Sequence, residues 1–232
     1  MSDLVSAVQE RLSPLADADK AEAMSAYMKG QFVFLGVRTP QRRRATAPLF
    51  RQFFRQFANE RPLATAQALW VLPAREYQYV AVDWLRRQAG ELTVDDLPAL
   101  EGLVLSKSWW DTVDGLAVII GALVLREPRL RLRMDQLIVA PQMWLRRVAL
   151  LHQLASKAQT DRQRLFDYCL RCAPENEFFI RKAIGWALRQ YARSDPTAVR
   201  QFLAAHRERL SGLSYREASK GLARQLTAAP RL

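Results

Sequence analysis

The sequence predicts an all-α chain organised as an α-solenoid superhelix with a concave basic groove. Three observations lead there. Leu, Ala, Arg and Gln dominate, while nine glycines and eleven prolines are scattered, and no stretch shows the alternation of a strand. Helix punctuation recurs: Thr39-Pro40 reads as an N-cap followed by a first-turn proline, and Ser194-Asp195-Pro196 repeats the signal. Small residues then recur 34 apart, at Ala81, Gly115, Ala149 and Ala183. They lie in helix-like segments at 76–87, 109–125, 143–157 and 178–193, and Trp84 and Trp186 share one phase of the repeat. A period in the mid-thirties is that of solenoids, in which each helical unit buries its face only against its neighbours. A chance run of small residues in an Ala-rich chain is the competing reading.

With 232 residues, half of them hydrophobic, the chain is long enough to bury a sizeable core. That suffices for one large domain or two small ones, and we expect a single domain over residues 1–232. The excess of 35 basic over 23 acidic residues, a net charge of +12, favours a polyanionic partner, with nucleic acid ahead of an anionic membrane. Residues 1–15 carry no secretory signal pattern. The longest apolar run, residues 115–125, has 11 residues, too few to span a bilayer. The expectation is a cytoplasmic, intracellular chain with no membrane partner. Cys169 and Cys172 form a C-x-x-C pair within a helix-like stretch, with only His152 and His206 as further nitrogen ligands. Two core-facing thiols are expected, and no metal.

The segment from Ser106 to Asp114 sets Trp109 and Trp110 beside Asp111 and Asp114, just ahead of the apolar run. On a helix, Trp110 and Asp114 share a face. A carboxylate beside a large aromatic face is costly to bury and well suited to holding a developing positive charge. Arg147 follows Trp144 by three residues, and Trp186 precedes Arg189 by three. Stacked helices would bring Trp110, Asp114, Arg147 and Trp186 to one concave patch. The bland alternative makes the tryptophans core and Asp114 a cap or an ion-pair partner of Arg147. Lys107, Arg146, Arg147, Arg181, Lys182, Arg189 and Arg193 recur beside these helices, and Arg42-Arg43-Arg44 follows Thr39-Pro40. Singly, each reads as part of a solvated face; as a set they resemble a phosphate-tracking groove.

Several blocks carry a family likeness: Tyr27-Met28-Lys29, the stretch from Phe34 to Pro40, Lys107-Ser108-Trp109-Trp110-Asp111-Thr112-Val113-Asp114, Trp144-Leu145-Arg146-Arg147, and the stretch from Lys182 to Arg189. In these blocks, which run in order from residue 21 to about 195, the sequence resembles the DNA alkylation repair glycosylases of the AlkD type, built from HEAT-like helical repeats. The stretches 44–65 and 195–232 match only in general character. The resemblance implies excision of positively charged N3- and N7-alkylated purines from duplex DNA, without a cofactor and without flipping the base. It places Asp114 on the catalytic aspartate, Trp110 and Trp186 on the tryptophans flanking the lesion's deoxyribose, and Arg147 on a phosphate-side arginine. Arg189, Tyr27 and Lys182 fall near the DNA. Arg38 departs from the pattern, standing where a polar uncharged residue is expected.

The residue types suit that chemistry. A cationic purine is already a good leaving group, so no general acid is required, and positive charge moves onto the sugar as the glycosidic bond lengthens. Asp114 can stabilise that charge and orient the attacking water. The resemblance thus implies a monofunctional enzyme of base excision repair, in an architecture that can work as a monomer. Lys107 and Lys182 lie near the motif, but nothing marks either as the buried nucleophile of a lyase. Two further readings are a non-catalytic HEAT-like protein that recognises damaged or branched DNA, and a protein scaffold whose basic groove meets an acidic partner.

Overall fold

The computed structural model describes residues 3–56 and 62–226, and among them the chain is entirely helical, with no strand. It divides into two compact units, Met1–Ala99 and Leu100–Leu232.

In the first unit, α1 (Asp3–Leu12) packs on α3 (Thr39–Gln56) and α4 (Pro62–Val71), and α5 (Arg75–Arg87) packs on α3 and α4. α2 (Ala18–Tyr27) is capped by Asp17, whose side chain accepts from the Lys20 N–H at 3.0 Å. α3 begins at Thr39 with Pro40 in its first turn, as expected. Thr39 is, however, itself the first helical residue and not the N-cap: the Arg42 N–H donates to the Arg38 carbonyl at 2.9 Å, which starts the helix one residue earlier than the dipeptide implies. Trp84 belongs to the core, tilted against Phe50 at 5.5 Å and donating its indole N–H to the Pro62 carbonyl at 3.0 Å.

The second unit opens with α6 (Leu97–Leu105), whose first turn spans the division, and continues with α7 (Trp110–Arg126), α8 (Arg131–Leu137), α9 (Met143–Leu151) and α10 (Arg162–Cys172). It closes with α11 (Phe178–Tyr191), α12 (Pro196–Ala205) and α13 (Gly212–Leu226). The odd-numbered helices pack in succession: α9 lies against α7 and α11, and α13 lies against α11. The even-numbered helices support them, with α8 on α9, α10 on α9 and α11, and α12 on α11 and α13. Asp195 caps α12 by accepting from the Ala198 N–H at 2.9 Å, with Pro196 at the first helical position.

Ala81, Gly115, Ala149 and Ala183 are all buried, as their period requires. The helices bearing them differ at their ends from the expectation. α7 starts at Trp110, with Trp109 as an extended N-cap residue. α9 stops at Leu151 instead of continuing to 157. The physical reason lies in the following loop: the Gln153 amide donates to the Asp161 carbonyl at 3.2 Å and accepts from the Asp161 N–H at 2.6 Å, while Lys157 takes a positive φ of 50°. These bonds close the chain into a loop that a continuous helix could not make.

Cys169 and Cys172 are buried free thiols on α10, pushed well above the usual thiol range chiefly by burial. No helix among the described residues is long and apolar enough to cross a membrane.

Candidate active site

The Asp114 site is built at the N-terminal ends of three successive odd-numbered helices. Lys107 takes a left-handed φ of 50°, the Ser108 hydroxyl donates to the Val104 carbonyl at 2.7 Å, and Trp109 adopts extended backbone. The chain then turns into α7 at Trp110, which places Asp114 one helical turn further along the same face. Trp110 is half-buried, and Asp114 is 9 % exposed.

Asp114 is held by Arg147 of α9 in a two-pronged pair, Nε to Oδ1 at 2.7 Å and Nη2 to Oδ2 at 2.8 Å. The remaining terminal nitrogen of Arg147 donates to the Phe179 carbonyl in the first turn of α11, and Arg147 is only 4 % exposed. One guanidinium thereby ties together α7, α9 and α11. The planar fork fits a carboxylate as no lysine could. Burial pushes the Asp114 carboxyl above its ordinary range, outweighing the pull of Arg147 in the other direction.

Over this pair lies an aromatic cluster that sequence reasoning missed. Trp109, Trp144 and Phe179 meet with ring centroids 5.0 to 5.9 Å apart, and Phe178 adds an edge contact to Phe179 at 5.3 Å. The Arg147 guanidinium lies 5.9 Å from the Phe179 ring. The signal was present: Trp109, Trp144 and Phe179 fall 35 residues apart, each near the start of an odd-numbered helix.

Trp186 is half-buried in the middle of α11, with Lys182 four residues before it and Arg189 three after, on one face. Both cations bind a residue that sequence reasoning also missed, Glu217 of α13. Lys182 Nζ reaches Oε1 at 2.8 Å and Arg189 Nη1 reaches Oε2 at 3.0 Å. The structure thus gives Asp114 and Arg147 to one cluster, and Lys182 and Arg189 to another beside Trp186.

Other cations of the expected groove also have internal partners. Arg146 grips Glu175 and the Ala140 and Pro141 carbonyls, while Arg181 donates to the Glu175 carbonyl and to Asn176. In the first unit, Arg42 and Arg43 share Asp83, each at 3.1 Å.

Tyr27 belongs to the first unit. It is 71 % exposed and borders a cup of about 390 Å³ lined by Met24, Met28, Phe34, Arg38 and Tyr79. The loop carrying Phe34 and Arg38 is fixed by buried Glu76, whose carboxylate accepts the backbone N–H groups of Leu35, Gly36 and Val37 at 2.9 to 3.0 Å. Glu76 therefore explains the ordered block from Phe34 to Pro40, and Arg38 stands exposed at the rim of the cup.

Comparison with known proteins adds a second line of argument. Residues 8–222 match the family model described as "DNA alkylation repair enzyme". A solved structure, described as a predicted DNA alkylation repair enzyme from Enterococcus faecalis, is similar at 35 % sequence identity and a TM-score of 0.82. The likeness covers 90 % of this chain and 97 % of that one. No curated protein matches.

Proposed function

Since the chain belongs to the DNA alkylation repair enzyme family, we propose that it is a monofunctional DNA glycosylase that releases cationic N3- and N7-alkylated purines, such as 7-methylguanine and 3-methyladenine, with Asp114 as the catalytic carboxylate. The observation that carries this reading is the buried Asp114, fixed by Arg147 one helical turn after Trp110. A carboxylate turned towards DNA gives a pure binder nothing, because phosphates repel it. An enzyme that meets a developing sugar cation does gain from it.

In the proposed reaction the bond from C1′ to the purine nitrogen breaks, and its electron pair neutralises the alkylated base. Asp114 stabilises the oxocarbenium-like sugar from one face. Water then forms the new bond at C1′, and its proton passes to the carboxylate or to solvent. Trp110 and Trp186 would flank the deoxyribose, each offering about 0.5–2 kcal/mol of attraction between a π face and a cation. Specificity would come from the lability of the cationic nucleoside, without base flipping, so neutral lesions would be poor substrates. Arg147 is assigned first to Asp114: its 4 % exposure suits a residue that orients the carboxylate better than one that reaches a phosphate. We read the packed odd-numbered helices as a HEAT-like solenoid with a DNA-binding concave face. The family match over residues 8–222 supports one function spread over both units; that the protein acts inside the cell as a monomer is part of the proposal.

One observation favours a second reading. Both oxygens of Asp114 are occupied by Arg147, as they would be in a purely structural pair within a protein that recognises damaged or branched DNA. Release of 7-methylguanine from methylated duplex DNA separates the two. The glycosylase reading expects release by the wild type and none by Asp114→Asn, with DNA binding kept in both. Binding without release by the wild type would establish the recognition protein.

A further inference from the structure

Glu217 of α13 is held by three separate cationic residues. Its Oε1 accepts from Lys182 Nζ at 2.8 Å and from Lys220 Nζ at 2.6 Å, and its Oε2 accepts from Arg189 Nη1 at 3.0 Å. Three cations on one carboxylate leave the cluster with a surplus of two positive charges. Glu217 itself is 6 % exposed, whereas the side chains of Lys182, Arg189 and Lys220 are 40 %, 33 % and 58 % exposed. The acid is therefore withdrawn and the cations face outward. That polarity repels no approaching anion and offers it three donors.

The approach of Glu217 to α11 is built into the sequence. A Cβ on Gly185 would lie 2.5 Å from the Glu217 Cβ and 2.8 Å from the Ser214 carbonyl oxygen, so only glycine at 185 admits α13 this closely. The Ser214 hydroxyl then donates to the Arg181 carbonyl at 2.9 Å, pinning the same pair of helices. Gly185 immediately precedes Trp186, and the two cations fixed by Glu217 stand four residues before and three after that tryptophan.

We propose that Glu217 is a positioning residue: it gathers Lys182, Arg189 and Lys220 into a phosphodiester-binding cradle that straddles Trp186. The ligand class is the DNA backbone on either side of the nucleotide that Trp186 faces, so the inference rests on the glycosylase reading and deepens it. The physical gain is preorganisation. Free Lys and Arg side chains can take a phosphate in many geometries, whereas cations already held on one internal carboxylate fix where the bound backbone lies relative to Trp186. Lys220 otherwise looks like an ordinary surface partner at i+3.

The test pairs two readouts on the full chain. On unmodified duplex DNA, Lys182→Ala, Arg189→Ala and Lys220→Ala are each expected to lower the salt dependence of binding by about one unit in the log–log slope. On methylated duplex at saturating protein, Glu217→Gln is expected to slow single-turnover base release about tenfold. Its affinity for unmodified duplex should hold or rise, because a negative charge has been removed. A fold tie alone would leave the saturating rate unchanged, and that result would overturn the proposal. If Glu217→Gln does not fold, the three alanine slopes decide the matter, and unchanged slopes would overturn it. A wild type that releases no base would defeat the glycosylase reading, whereas the slopes on unmodified DNA judge the cradle independently of release.

Discussion

Arg147 is the residue on which the candidate site depends mechanically, because its guanidinium spans Asp114 and the Phe179 carbonyl. Removing one partner of a buried ion pair leaves the other charge without compensation, at a cost of about 3–5 kcal/mol. Arg147→Ala should therefore lower the denaturant midpoint markedly as well as abolish base release. Replacing both partners by apolar residues, as in Asp114→Leu with Arg147→Met, should recover much of the midpoint while base release stays lost. A double variant no more stable than Arg147→Ala would show that the pair holds the fold through its contact to α11 and not through its charges. The sequence made Asp114, Trp110 and Arg147 legible as candidates, because a carboxylate beside tryptophan in a basic chain is chemically conspicuous. It could not settle whether Arg147 faces phosphate or carboxylate, since both partners ask the same of a guanidinium. Only the three-dimensional registration of α7 on α9 distinguishes them.

At the scale of elements, the helices were legible from composition and punctuation, and the small residues Ala81, Gly115, Ala149 and Ala183 are buried, as residues at helix joints should be. The aromatic series Trp109, Trp144 and Phe179 was missed because its period differs by one residue from that of the small residues, so a fixed 34-residue register steps past it. The premature end of α9 was hidden for another reason: Gln153 and Asp161 are unremarkable loop-compatible residues until they bond to each other. The end of α9 in turn presses on α7, where a Cβ added at Gly121 would overlap the His152 carbonyl oxygen. Helix propensity alone would make Gly121→Ala stabilising by about 1 kcal/mol. The overlap is with backbone, which cannot rotate away, so we expect a net loss of about 1–3 kcal/mol, as for an overpacked core site. Chemical denaturation decides it: a gain in midpoint would mean that the junction of α7 and α9 yields at little cost.

For the molecule as a whole, acid stability follows from groups whose protonation differs between the folded and unfolded chain. His152 is 4 % exposed, its Nδ1–H donates to the Ala149 carbonyl at 2.7 Å, and burial holds its pKa down at about 4. Arg164 adds to that depression, while Asp135 and Asp161 oppose it. The unfolded imidazole takes a proton near pH 6.5, so the unfolded state binds more protons and stability is lost as the pH falls from about 6.5 towards 4. Glu217 behaves alike at lower pH: its cations hold the carboxyl at about 2 against an ordinary 4.5, and its contribution, complete above 4.5, is lost as the pH falls towards 2. Asp114 acts in the opposite sense, because its raised carboxyl takes up a proton more readily folded than unfolded, which offsets part of the loss just above the ordinary carboxylate range. Denaturant midpoints at pH 7, 5 and 3 should therefore fall for the wild type in both steps. His152→Gln should flatten the step from 7 to 5, and Glu217→Gln should flatten the step from 5 to 3. If all three proteins fall in parallel, acid stability is set by the diffuse repulsion of a chain carrying a net charge of +12, which grows as carboxylates are protonated, and not by these two buried groups.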